Sequence, residues 1–187
     1  MINARDSELY DRFVTHKVDA NTLPSNDFAD LLRDNVMPAA PKGLNQVHLG
    51  GGNTAAEANE LAMSVALEHY SKAHNVALNK LCVVGFNNSY HGSTTATLSV
   101  SSADANCHGL PAFPWPKAEF PQLRYPLGYN EAHNKAEEDR YLDGFKKIVE
   151  NQRAAGGAVA AVIVEPISSL GNQMATPRFF KMLRKYT

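Results

Sequence analysis

Apolar residues in this chain recur in two rhythms, and each change of rhythm marks an element boundary. Ser7 to Val18 is mixed in character, while Ser25-Asn26-Asp27 opens a periodic run, Phe28, Leu31 and Leu32, that predicts a short surface helix. Pro38 to Gly43 breaks it. Gln46-Val47-His48-Leu49 predicts a short strand running into Gly50-Gly51-Gly52. Beyond that turn Ala58, Leu61, Ala62, Val65 and Ala66 recur at helical spacing to about Tyr70. Leu81 to Phe86 is continuously apolar between Lys80 and Asn87-Asn88, the pattern of a strand buried on both faces of a parallel sheet.

The next stretch holds Pro111, Pro114, Pro116, Pro121 and Pro126 among Phe113, Trp115, Phe120 and Tyr125. Its missing amides exclude a helix or a central strand, so an ordered loop is expected. Glu131 to Arg153 is charge-rich with Tyr141, Leu142, Phe145, Ile148 and Val149 on one face, which predicts an amphipathic helix lying over the sheet and ended by Gly156-Gly157. Val159 to Glu165 is expected to be the most clearly buried strand. Thr176-Pro177 supplies the N-cap and first position of a last helix that carries Phe179, Phe180, Met182 and Leu183. Strand and helix alternate without an internal repeat, so the fold class is α/β, a mostly parallel sheet flanked by helices. The last helix runs to Thr187 with no Gly or Pro stop, and the chain is read as a fragment.

Composition narrows the function classes. The 187 residues are 44% hydrophobic and 20% charged with a formal net charge of -1, the profile of a folded chain rather than a disordered or collagenous one. No basic block exists to attract nucleic acid or an anionic membrane, and no apolar run approaches the roughly 20 residues of a membrane span. Cys82 and Cys107 are the only cysteines, too few for a disulfide framework or a four-cysteine zinc site. His16, His48, His69, His74, His108 and His133 show no metal-ligand spacing, so no metal is expected. Ser93 and Ser169 lie in no G-x-S-x-G elbow, which argues against a hydrolase.

Three places could carry chemistry. Asn53-Thr54-Ala55-Ala56-Glu57 opens a helix with Thr54 and Glu57 at capping-box spacing, leaving a helix N-terminus that suits a phosphate. The alternative there is an ordinary capped helix. Gly50-x-Gly52-x-x-Ala55 also fits a dinucleotide fingerprint, but the next strand ends in Asn87-Asn88, not in the acidic residue that would hold a ribose. Ser89-Tyr90-His91-Gly92-Ser93-Thr94 follows the buried strand at its carboxyl edge, where α/β proteins bind ligands; an aromatic ring there can stack on a planar group, and the alternative is a plain surface turn. Glu165 brings a carboxylate to the same edge.

Together Asn53-Thr54-Ala55-Ala56-Glu57-Ala58-Asn59-Glu60-Leu61-Ala62-Met63, Tyr90-His91-Gly92-Ser93-Thr94 and Val162-Ile163-Val164-Glu165-Pro166-Ile167 resemble, in order and spacing, the class III pyridoxal-phosphate-dependent aminotransferases. Pro111-Ala112-Phe113-Pro114-Trp115-Pro116, with Phe120-Pro121, Tyr125-Pro126-Leu127 and Ala40-Pro41-Lys42-Gly43, is similar to the eukaryotic type of 4-aminobutyrate aminotransferase. The resemblance implies a fold-type I transferase, with residues 1–187 forming part of its cofactor-binding large domain, truncated at both ends. It implies that the amides around Thr54, Ala55 and Ala56 hold the phosphate of pyridoxal 5'-phosphate and that Tyr90 stacks on its ring. His91 and Gly92 would support that face, and Glu165 would lie beside the cofactor, hydrogen-bonded to Asn59.

The implied reaction moves an amino group from an ω-amino acid such as 4-aminobutyrate to a 2-oxo acid such as 2-oxoglutarate, in a homodimer of the mitochondrial matrix or the cytoplasm. The Schiff-base lysine of the family, and the aspartate that pairs with the pyridine nitrogen, match no position in this chain, so no catalytic residue is assigned and the piece alone is expected to be inactive. Ser93 stands where the 4-aminobutyrate enzymes carry a carboxylate-binding arginine, Leu170 where they carry a glutamate, and Ala55 where a glycine is usual. Serine lacks the charge and fork geometry of arginine, so another ω-amino acid or a diamine is the rival donor. A non-catalytic truncated product retaining the fold is the other alternative.

Overall fold

A computed structural model describes residues 35, 37–40, 42, 54–102 and 109–186. The chain divides into two compact units, Met1–Asn53 and Thr54–Thr187. Of the first, the described residues include a single 3-10 turn, Met37–Ala39, within the proline region expected to break a helix. The helix expected after Ser25, the strand Gln46 to Leu49 and the turn Gly50 to Gly52 lie outside the described residues.

The second unit begins with α1, Ala55–His74, four residues longer than its apolar period predicted. Thr54 caps it: its Oγ1 accepts from the Glu57 amide at 3.3 Å while the Glu57 carboxylate accepts from the Thr54 amide at 3.0 Å, the expected capping box. Lys72 sits in the last turn, where its charge suits the negative end of the helix dipole, and Asn75 closes the helix in the left-handed conformation at φ 52°.

Strand β1, Leu81–Phe86, is buried at all six positions and is the centre of a parallel sheet ordered β2-β1-β3. It pairs with β3, Ala158–Val162, through Leu81 opposite Ala158 and Val84 opposite Val162, and with β2, Lys117–Ala118, through Gly85 opposite Lys117. Side chains alternate across the sheet. Val84 and Phe86 join Ala118, Phe120, Leu142, Phe145, Phe179 and Leu183 in one cluster beneath α3, Glu131–Ala154, and α4, Pro177–Leu183. Val83 points the other way and packs with Met63 of α1 and with Ala96 and Val100 of α2, Thr95–Val100. Helices thus cover both faces, which is why β1 reads as an unbroken apolar run. No helix among the described residues is long and apolar enough to cross a membrane.

Two expectations are corrected. The strand expected at Val159 to Glu165 is β3, shorter and mostly half-buried, because it is an edge strand of the sheet among the described residues. The Ile163 amide donates to the Val84 carbonyl at 3.0 Å, but β1 ends two residues later and Pro166 has no amide to give, so Glu165 lies in a loop. The proline-rich stretch is a loop as expected, except that Lys117–Ala118 adds a two-residue edge strand. Helix α2 is an element that apolar spacing did not reveal.

Candidate cofactor-binding site

The carboxyl end of β1 is where three segments meet. After Phe86 the chain turns through Asn88 at φ 60°, and Ser89 Oγ donates to the Phe86 carbonyl at 2.6 Å, fixing the exit of the strand. The Tyr90 amide then donates to Glu165 Oε2 at 3.1 Å. The same oxygen accepts from the Ser169 amide at 3.2 Å and from Ser169 Oγ at 3.3 Å, so Glu165 ties the loop after β3 to the loop after β1. Ser168 Oγ adds a second tie by donating to the Asn88 carbonyl.

The loop is also held against α1. Asn59 Nδ2 donates to the His91 carbonyl at 2.9 Å, and the His91 amide donates to Ser101 Oγ at 2.9 Å. Gly92, at φ +126°, lies so close to the first turn of α1 that an added Cβ would fall 2.4 Å from the Cβ of Ala56. Ala56, Asn59, Tyr90, His91, Gly92 and Glu165 are thereby brought together, with Thr54 and Ala55 exposed on the same first turn. The hydrogen bond expected between Asn59 and Glu165 is not formed: Asn59 donates to a loop carbonyl, and Glu165 accepts from Tyr90 and Ser169.

Two polar features were not apparent from residue spacing. Ser101 is fully buried and receives the His91 amide, ten residues away; Ser169 completes the Glu165 cluster. Tyr90 is 44% exposed and its hydroxyl pairs with Ser93 Oγ at 2.9 Å, so the mouth of the site presents a pair of hydroxyls.

His91 is buried, and its Nε2 has no partner. Burial holds its pKa below the ordinary 6.5, with the nearby Glu165 carboxylate opposing the shift. Below about pH 6.5 the unfolded histidine binds a proton that the folded one resists, so this group destabilises the fold as pH falls and contributes nothing to pH dependence above that range. Urea midpoints between about pH 7 and pH 5 should therefore fall less for His91→Gln than for the native chain; equal slopes would remove His91 as the source.

The class-III aminotransferase family model matches residues 16–187. The chain belongs to that family. A 4-aminobutyrate aminotransferase of Dictyostelium discoideum is 32% identical over 208 residues, covering 100% of this chain and 41% of the relative. A probable mitochondrial 4-aminobutyrate aminotransferase of Caenorhabditis elegans is 32% identical over 186 residues, covering 89% of this chain and 38% of the relative. The chain thus spans about two-fifths of the length of these relatives. A solved lysine aminotransferase from M. tuberculosis superposes with TM-score 0.69 at 24% identity, covering 88% of this chain and 38% of that one. At that identity the likeness shows the fold: this class-III chain carries part of the pyridoxal-phosphate-dependent aminotransferase fold, a parallel sheet between helices.

Proposed function

We propose that this chain forms part of the cofactor-binding large domain of an aminotransferase that moves an amino group from an ω-amino acid, 4-aminobutyrate first, to a 2-oxo acid such as 2-oxoglutarate. The observation that carries the proposal is the seating of the Tyr90–Gly92 loop on the first turn of α1, where Gly92 and Ala56 leave no room for a methyl group.

Pyridoxal phosphate fits the donors at this point. The amides of Ala55 and Ala56 have no acceptor within α1, as in the first turn of any α-helix, and together with the helix dipole they favour a phosphate. Tyr90 offers a partly exposed ring at the adjoining loop, and the next residue, His91, is buried with its Nε2 an unsatisfied polar atom. Thr54, Ala55 and Ala56 would hold the phosphate, Tyr90 would face the ring, His91 and Gly92 would set the height of that loop, and Asn59 and Glu165 would fix its two sides.

When bound, the cofactor supplies the electron-accepting ring on which amino-group transfer depends. The chain's residues supply anchorage and orientation. No lysine occurs in Thr54–Asn59, Ser89–Ser93 or Glu165–Ser169, so the 187-residue chain is proposed to bind cofactor without turning over. Ser93 favours a second donor reading: a neutral hydroxyl pair at the mouth gives no charge for a substrate carboxylate, which suits another ω-amino acid or a diamine. The working enzyme is proposed to be a homodimer of the mitochondrial matrix or the cytoplasm. The word mitochondrial in the name of the Caenorhabditis relative supports the first location.

Equilibrium dialysis tests the binding proposal. The chain should retain pyridoxal phosphate, retain pyridoxal without its phosphate far more weakly, and show no 2-oxoglutarate-dependent loss of 4-aminobutyrate. Tyr90→Ala should weaken pyridoxal phosphate roughly fivefold, the loss of about 1 kcal/mol of ring contact. Equal retention of both compounds would overturn the helix-end phosphate site.

A further inference from the structure

We infer that Glu60 is a positioning residue for the cofactor loop, acting through α2 without touching the bound group; this rests on the site reading proposed above. Glu60 follows Asn59 on α1, and the two side chains grip opposite ends of one structure. Asn59 donates to the His91 carbonyl at 2.9 Å. The Glu60 carboxylate accepts from the Ala96 amide, at 3.1 Å through Oε2 and 3.3 Å through Oε1, and from the Thr94 hydroxyl.

The sequence of α2 explains why it needs that grip. Thr95-Ala96-Thr97-Leu98-Ser99-Val100 is rich in β-branched and hydroxyl residues, weak helix formers, and has no acidic residue in its first turn. Its own cap is the Thr94–Thr97 hydroxyl pair at 2.8 Å, and the negative charge at its N-terminus comes from α1. At its far end Ser101 Oγ accepts from the His91 amide and donates to the Thr97 carbonyl at 2.7 Å. A closed circuit results: Glu60 holds the start of α2, the end of α2 holds the His91 amide, and Asn59 holds the His91 carbonyl. Tyr90 and Gly92 flank the residue clamped at that junction. Opening the circuit at Glu60 frees α2 and lets the loop ride away from the α1 N-terminus while every proposed cofactor contact stays chemically intact.

The test pairs amide hydrogen exchange of the cofactor-free chain with dialysis against pyridoxal phosphate. Glu60→Ala should speed exchange from Tyr90 to Ala96 and weaken the cofactor roughly tenfold. Glu60→Gln keeps an oxygen acceptor and should restore both to within roughly threefold, whereas Glu60→Asp falls one methylene short and should not. Should Glu60→Ala fail to fold, the Gln and Asp variants carry the same contrast. Arg178→Ala serves as the stability control, since it opens the ion pairs with Glu138 and Asp139 under the opposite sheet face. It should lower the urea midpoint and leave loop exchange and affinity unchanged.

Native-like exchange and affinity in Glu60→Ala would overturn the inference, as would equal changes in Arg178→Ala. If exchange responds as expected but the native chain retains no pyridoxal phosphate, the cofactor reading falls and the placement of the loop by Glu60 stands.

Discussion

Gly92→Ala should weaken pyridoxal phosphate binding by at least roughly tenfold, through two costs that act at one position. The backbone at φ +126° is one that a side chain rarely adopts, a penalty of about 1–3 kcal/mol. The added Cβ would also lie 2.4 Å from Ala56 Cβ and 2.9 Å from Ala56 Cα. Neither neighbour is the far end of a flexible side chain, so the loop itself must lift, carrying Tyr90 away from the α1 N-terminus. Two controls separate the costs. Gly156→Ala imposes a similar backbone penalty at φ +75° with nothing within 4 Å of the new Cβ, so it should lower the unfolding midpoint and leave affinity alone. Adding Ala56→Gly to Gly92→Ala removes the nearer contact and should recover part of the binding. Dialysis showing native affinity in Gly92→Ala would sink the claim that the loop height sets the site.

The features legible beforehand were those that short-range physics decides. A hydroxyl at 54 with a carboxylate three residues on is a helix start in any surroundings, and the capping box is present. The unbroken run from Leu81 to Phe86 demanded cover on both faces, and the clusters around Val83 and Val84 supply it from opposite sides. What escaped was decided by distant partners. Helix α2 carries too many β-branched residues to announce itself and is formed where a carboxylate 36 residues away meets the Ala96 amide. The Asn59–Glu165 hydrogen bond was implied by the family resemblance alone; the acceptor that Asn59 finds is a backbone carbonyl, which residue types do not advertise. The apolar run at Val159 outlasts its strand, which ends at Val162 opposite Val84 although β1 continues to Phe86, because hydrophobicity carries no mark of where backbone pairing ends.

Gly85→Ala should be the most damaging substitution in the sheet, for a reason that has nothing to do with backbone freedom. No positive φ is involved at this position, so the cost is purely one of space. A Cβ on Gly85 would stand 2.2 Å from the carbonyl oxygen of Val100 and 2.9 Å from its carbonyl carbon. The absence of a side chain is what lets the end of α2 press directly on β1, and so carries Ser101 to the His91 amide. Overpacking of this kind costs about 3 kcal/mol at its upper range, which for a chain of this size is a fall in melting temperature of roughly 10 °C. Because the nearest atom belongs to the backbone, trimming the neighbour cannot help: Gly85→Ala with Val100→Ala should melt no higher than Gly85→Ala alone. Recovery of stability in that double variant, followed by circular dichroism, would show that the Val100 side chain and not its carbonyl was the obstacle. Loop exchange over Tyr90 to Ala96 should rise in both variants, since α2 cannot be displaced from β1 without releasing the amide that Ser101 holds.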